Sequence, residues 1–198
     1  IRLNLMKKLT GPKKIATAIF ISGRGSNLNN LIRFSKTKKS PIKIDLVISN
    51  KKAKGLKFAD QYKIKKKIID YQNNKIAEKN ILIILKKKKI KFICLCGFMR
   101  IITNNFIKKF NGKIINIHPS YLPKYKGLNT SARALANNEK FSGCTVHYVT
   151  AKLDSGRIIM QKKIKITKNE TEKSLDKKII TEEHKLYPKA ILKILVNL

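Results

Sequence analysis

The chain has 198 residues and a formal net charge of +35, from 46 lysines and arginines against 11 aspartates and glutamates. That length suits one domain burying roughly 70% of the surface its unfolded chain would expose. No stretch approaches the ~20 apolar residues that cross a bilayer. Cys94, Cys96 and Cys144 are odd in number and lack metal-ligand spacing. This pattern argues against a disulfide framework or a bound metal and for a reducing, cytoplasmic setting.

Such a charge first suggests a nucleic-acid or membrane-surface partner. Only six of the 46 basic residues are arginine, however, and the lysines are scattered along the whole length. Bidentate phosphate and base readout favour arginine forks, and aromatic stacking platforms interleaved with the basic residues are missing. The lysine, isoleucine and asparagine excess reads as drift toward A/T-rich codons. A nucleic-acid partner is not expected despite the charge.

In chain order, Ile1–Lys14 reads as a poorly ordered leader. Ile15–Ser22 is a continuous apolar run, as in a strand buried on both faces of a parallel sheet. Gly23-Arg24-Gly25-Ser26-Asn27 follows, and Leu28, Leu31 and Ile32 then recur at helical spacing. Strand, glycine turn and helix make an anion-binding geometry in which Ser26 and Asn27 can cap the helix, although the same turn also serves as a plain corner. Ile42–Ser49 is a second strand, Gly55–Tyr62 a short helix and Ile64–Asp70 an edge-like third strand. Ile76–Lys88 is a helix with Ile76, Ile83 and Ile84 set for its buried face. This alternation predicts a single-domain α/β fold, a mostly parallel twisted sheet with helices on both faces.

Lys91–Cys96 is the fourth strand, ending in Gly97-Phe98-Met99-Arg100, and Thr103–Phe110 is a short helix. Lys113–Ser120, KIINIHPS, organises the rest. Its β-branched residues predict a buried strand, period two puts Asn116 and His118 on one face, and Pro119 stops the ladder. A carboxamide and an imidazole thus sit at a strand's carboxyl edge, where open parallel sheets bind ligands. The plainer alternative is that Asn116 caps a turn and His118 is a satisfied core histidine.

After a proline- and glycine-punctuated loop over Tyr121–Asn129 come a helix over Ser131–Asn138 and a strand over Ser142–Thr150. His147 is either a second site group or a packed strand histidine, with packing the favoured reading, and His184 reads as structural. Leu153-Asp154-Ser155-Gly156 is a turn, Ile158–Ile166 a strand, and Thr171–Leu198 helical. Asn116, His118 and Asp154 brought into one pocket could polarise a carbonyl, stabilise an oxyanion and move protons, the needs of acyl transfer to an amine. Asp154 beside His118 is expected to raise the imidazole's pKa. No serine or cysteine nucleophile sits beside a base, which points to direct transfer.

These residues carry a family resemblance. Ser22–Asn27, Gly97–Arg100, Asn116-Ile-His-Pro-Ser120 with Leu122–Gly127, and Gly143–His147 with Leu153–Gly156 are similar, in order, to the phosphoribosylglycinamide formyltransferases. The resemblance covers nearly the whole chain from Ile15 and implies a Rossmann-like formyltransferase domain over 15–198. Its N-terminal half would bind the nucleotide, and its C-terminal half the folate. It implies transfer of a formyl group from 10-formyltetrahydrofolate to the amine of glycinamide ribonucleotide, in purine biosynthesis. By the same carry-over Gly25, Ser26 and Asn27 hold the ribonucleotide phosphate and Glu183 its amino end. Met99, Arg100, Ile101, Ile102, Asn116, Thr150 and Leu153 line the folate pocket, while Asn116, His118 and Asp154 carry the chemistry.

Asn129 and Ser131 stand where the family often has histidines, and Ile180 where a polar contact is expected. Small-molecule substrates, no membrane, and a monomer or weak homodimer complete the expectation. A methionyl-tRNA formyltransferase-like core and a non-catalytic polyanion-binding relative are the alternatives.

Overall fold

A computed structural model describes residues 14–196. Its strands are β1 (Ile15–Ile21), β2 (Ile42–Ser49), β3 (Lys66–Ile68), β4 (Phe92–Leu95), β5 (Lys113–His118), β6 (Phe141–Tyr148) and β7 (Ile158–Lys165). Among the described residues they form one sheet in the order β3-β2-β1-β4-β5-β6-β7. The first five run parallel, and β6 and β7 are antiparallel additions at one edge. The expected mostly parallel α/β architecture is therefore what the chain adopts.

The helices are α1 (Ser26–Ser35), α2 (Leu56–Gln61), α3 (Asn74–Lys87), α4 (Asn104–Lys109), α5 (Thr130–Ala136) and α6 (Glu172–Leu195). Each face of the sheet has its own core, because successive strand side chains alternate. Ile19, Ile21, Ile115 and Ile117 pack with α1, α2 and α6. Ala18, Phe20, Ile93 and Ile114 pack with α3 and α4 on the other side. Asn116 and His118 share the face of Ile114 but lie past its helical cover, at the open carboxyl end. There β1 and β4 are neighbours whose connections leave in opposite directions, the crevice that doubly wound sheets use for ligands.

Tyr187 ties α6 to this frame. Its ring is fully buried, and its hydroxyl donates to the carbonyls of Leu95 (3.0 Å) and Ile115 (3.3 Å), on the adjacent strands β4 and β5. Glu78, 3% exposed, accepts from the Thr103 N–H at 2.8 Å and from the Thr103 hydroxyl, fixing the segment that leads from β4 into α4.

Some expected details differ. Helix α3 is turned so that Ala77, Ile81 and Leu85 are buried, leaving Ile76 58% and Ile83 57% exposed. The Ala77-Ile81-Leu85 row also fits a helical face and competes with the isoleucines for the core. Neither Ser26 nor Asn27 caps α1: the N-cap is Gly25, in the left-handed region at φ 77°, with no side-chain cap. The third strand is shorter than Ile64–Asp70, at Lys66–Ile68. All but Lys14 of the leader expected over Ile1–Lys14 lies outside the described residues, as do the last two residues of the expected terminal helix.

Replacing Tyr187 with Phe removes one hydroxyl that serves two strands, so chemical denaturation of the variant should show an unfolding free energy lower by about 1–2 kcal/mol. An unchanged value would mean that this bridge contributes nothing to the fold.

Candidate active site

The functional groups gather around one carboxylate. Asp154 sits in a tight turn after β6 with φ 44°, and its side chain is only 7% exposed. One oxygen, Oδ2, accepts the Gly127 N–H at 2.9 Å and lies 3.4 Å from His118 Nδ1. The other, Oδ1, faces Asn116 Nδ2 and His147 Nε2, each at 3.5 Å. The three expected residues therefore meet, in a cavity of about 720 Å³ that all of them line.

The two imidazoles are held in opposite senses. A carbonyl can only accept, so the 2.8 Å contact from His118 Nε2 to the Tyr125 carbonyl fixes the proton on Nε2 and turns Nδ1 toward Asp154. By the same reasoning His147 donates from Nδ1 to the Tyr148 carbonyl at 2.9 Å. Its Nε2 is then free to accept from Asn116 Nδ2 at 3.2 Å. This assigns the Asn116 amide: one hydrogen goes to His147, and the other makes only the long contact to Asp154, so it is available to a ligand oxygen.

His147 is thus a site residue and not a packed strand residue. Asn116 and His147 stand directly opposite each other in the β5–β6 ladder. The alternation in GCTVHYV pointed to the correct face, but the register across a loop of more than 20 residues was not readable. A Cβ on Gly156 would collide with the Tyr148 carbonyl, so glycine there is what lets that carbonyl reach His147.

The protonation of His118 also differs from expectation. Burial lowers its pKa below the ordinary histidine value, and the Tyr125 carbonyl and Asp154 only partly oppose this. The carboxylate loses to desolvation because it stands 3.4 Å away and is shared with three other groups. Burial alone would raise the Asp154 carboxyl, but the His147 contact, the Gly127 N–H and the His118 field bring it below its ordinary value. The resting pair is a neutral imidazole facing a carboxylate.

Met99, Arg100, Ile101, Ile102, Thr150 and Leu153, the residues expected to hold a folate, all line this cavity. The Met99 N–H is pinned by Ser22 Oγ at 2.8 Å, and that hydroxyl donates to Asn50 Oδ1 at 2.5 Å. An apolar-walled cleft with convergent Asn116, His118 and Asp154 suits a flat heteroaromatic ring carrying a carbonyl. The donor set fits a formyl folate.

Gly25, Ser26, Asn27 and Glu183 do not line that cavity; they form a second cluster at the end of β1. Gly25 packs so tightly on Gly55 that neither can carry a Cβ, and the Gly55 N–H donates to the Gly23 carbonyl at 3.0 Å. Gly55 fixes the turn, a role that its position in the sequence did not signal. Asn27 Nδ2 donates to Glu183 Oε2 at 2.8 Å, and its own buried Oδ1 has no partner among the described residues.

Of the atypical positions, Asn129 is the left-handed N-cap of α5, and Ser131 donates to Asp176 Oδ1 at 2.5 Å. Ile180 is half-buried on α6. The cysteines Cys94, Cys96 and Cys144 are buried, and burial pushes the Cys144 thiol up to about 12, so none supplies a thiolate nucleophile.

Burial also raises the Glu183 carboxyl to about 7, against the opposing hydrogen bond from Asn27. A carboxyl whose folded pKa exceeds its unfolded one holds its proton more tightly in the native state. Its support for the fold is complete below the unfolded value and is lost as pH rises through about 7. Glu183→Gln should therefore gain stability relative to the parent, by a few kcal/mol, between about pH 4 and pH 8 in paired denaturation curves. Curves that stay parallel would contradict this.

The formyl transferase family pattern matches residues 13–191. The human trifunctional purine biosynthetic protein adenosine-3 is 40% identical over 183 residues, covering 90% of this chain but 18% of that protein. This chain thus spans under a fifth of the length of that relative. The phosphoribosylglycinamide formyltransferase of Haemophilus influenzae is 38% identical over 183 residues, 90% of this chain and 85% of its own. The solved structure of the Coxiella burnetii phosphoribosylglycinamide formyltransferase, in complex with CHES, superposes with a TM-score of 0.87 at 38% identity, covering 93% of this chain and 89% of that one. The chain belongs to the formyl transferase family, and within it to the phosphoribosylglycinamide formyltransferases.

Proposed function

We propose that this chain transfers the formyl group of 10-formyltetrahydrofolate to the amine of glycinamide ribonucleotide, by direct attack and without a covalent enzyme intermediate. The observation that carries the reading is the convergence of Asn116, His118, His147 and Asp154 on one cavity, with His118 Nδ1 3.4 Å from Asp154 Oδ2. Buried, unreactive thiols support direct transfer.

The folate supplies an activated formyl carbon on N10, and every other part of the reaction is served by the chain. The free hydrogen of the Asn116 amide donates to the formyl oxygen, where negative charge grows as the amine adds. Because His147 accepts the amide's other hydrogen, the donor is already aimed. Neutral His118 takes the amine's proton at Nδ1 and becomes an imidazolium. The Tyr125 carbonyl already accepts from its Nε2, and Asp154 faces the new Nδ1–H. That cation then stands beside the negative oxygen. Asp154, ionised at rest, accepts this proton from His118 and passes it to N10 as tetrahydrofolate leaves, which returns His118 to its neutral form.

In this reading the Gly25–Asn27 turn presents backbone N–H groups to the ribonucleotide phosphate. Glu183 and Asn27 Oδ1, which has no partner among the described residues, are acceptors for the amino end of the same substrate. Met99, Arg100, Ile101, Ile102, Thr150 and Leu153 hold the pterin. The partners are small molecules, with no nucleic acid or membrane, and the setting is cytoplasmic, with the chain a monomer or weak homodimer.

A spectroscopic assay for the folate product, run with glycinamide ribonucleotide and separately with charged initiator tRNA as acceptor, tests the assignment. Turnover with the ribonucleotide alone is expected, and His118→Ala should lower it by a factor on the order of 10² or more. Transfer to the tRNA, or a His118→Ala variant with parental turnover, would overturn the acceptor or the mechanism respectively.

A further inference from the structure

Residues 124–128 run as a strap between the end of β5 and the start of α5, and their inner side serves the two ionisable groups of the reaction. The Tyr125 carbonyl takes the His118 Nε2–H at 2.8 Å, and the Gly127 N–H donates to Asp154 Oδ2 at 2.9 Å. The strap's backbone is unusual. Tyr125 and Gly127 have positive φ, at 56° and 79°, and so does Asn129, at 54°, where the strap meets α5. For Tyr125 and Asn129 that conformation persists only where surrounding contacts over-determine it.

Ser120 Oγ donates to the Lys124 carbonyl at 2.7 Å, Lys124 pairs with Glu139 and Lys126 reaches Ser155, and among the described residues Arg133 alone reaches the strap at both its middle carbonyls and the Tyr125 ring. Arg133, on α5, points back toward the N-terminal end of its helix, as helical side chains do. Its Nη1 donates to the Lys126 carbonyl at 2.7 Å and lies 3.4 Å from the Leu128 carbonyl. Its guanidinium carbon stands 5.2 Å from the centre of the Tyr125 ring, within cation–π range. Among the described residues Arg133 pairs with no carboxylate. One nitrogen, Nη1, reaches the carbonyls while the guanidinium plane lies over the ring; a lysine ammonium can keep the carbonyl contact but not the planar stacking. The Tyr125 ring is fixed from its other end by its hydroxyl, which donates to Glu139 Oε1 at 2.9 Å.

We infer that Arg133 is a positioning residue for formyl transfer: it clamps the strap from outside, so that Tyr125 O and Gly127 N–H stay where they set His118 and Asp154. The inference rests on the proposed function for its catalytic consequence, but not for the clamp itself. Arg133 touches neither reacting atom. The charged and titratable groups facing His118 are Asp154, His147 and Arg133 itself.

Arg133→Ala, Arg133→Met and Arg133→Lys would be compared with the parent in two measurements. The first is steady-state kinetics: kcat should fall about tenfold or more in the Ala and Met variants, with KM for the ribonucleotide changed less than about threefold, and Lys should recover part of kcat. The second is proton NMR of the ligand-free protein. The His118 Nε2–H resonance, slow to exchange while bonded to the Tyr125 carbonyl, should be lost or broadened in the Ala and Met variants and retained with Lys. An intact resonance in the Ala and Met variants overturns the clamp whatever the activity. A lost resonance with parental kcat overturns its role in the reaction. If the parent itself does not formylate the ribonucleotide, the function assignment fails, while the resonance still decides the clamp. Arg133 is solvent-exposed, so folded variants are expected, and thermal melts check this.

Discussion

The structure depends on keeping one ionised carboxylate almost out of water. A buried carboxylate is costly unless its oxygens are met by donors; Asp154 has the Gly127 N–H at 2.9 Å on Oδ2 and the Asn116 amide at 3.5 Å on Oδ1, with a ring nitrogen of His118 and one of His147 within 3.5 Å, ready to take a proton. Its two oxygens are not interchangeable. Oδ2 belongs to the strap and His118, and Oδ1 to Asn116 and His147. The consequences spread outward from there. Gly127 must turn its N–H inward at φ 79°, Gly156 must leave room for the Tyr148 carbonyl, and Asp154 itself must accept a left-handed backbone.

The sheet supplies the rigid part of this arrangement. A parallel core ends three strands at the same level, which puts the Gly25 turn, the Gly97–Ile102 wall and His118 along one edge. The antiparallel β6 then brings His147 opposite Asn116, something a further parallel strand in the same place would do only through another crossover. Backbone carbonyls supply the directional part, Tyr125 from a loop and Tyr148 from the last position of β6, and fix which nitrogen of each imidazole carries its proton. Strand positions thus choose the residues, and backbone carbonyls choose their protonation.

Much of this was legible in the sequence, for identifiable reasons. Period two in KIINIHPS placed Asn116 and His118 on one face, and the proline located the strand end, because both signals are local. Asp154 was found from its turn and from the family resemblance. For His147 the sequence left a site role and simple packing open, because the choice depends on β-ladder register across a long connection. The sign of the His118 shift was misjudged because a neighbouring carboxylate is visible in a sequence and burial is not. The exposed Ile76 and Ile83 show the limit of spacing arguments: the isoleucines at 76, 83 and 84 and the row Ala77, Ile81, Leu85 both fit a helical face, and only packing selects one. Gly55 carried no local mark at all, since what it avoids is a collision with Gly25 30 residues away.

The lysine excess lies outside this account, and the site does not use it. At the centre, Asp154 is flanked by two imidazoles whose backbone partners make opposite ring nitrogens the donors, Nε2 in His118 and Nδ1 in His147. Nitrogen NMR of the two histidines in the ligand-free protein at neutral pH measures this directly. The account predicts a protonated Nε2 with a bare Nδ1 for His118, and a protonated Nδ1 with a bare Nε2 for His147. The same tautomer at both, or an imidazolium at residue 118, would contradict it.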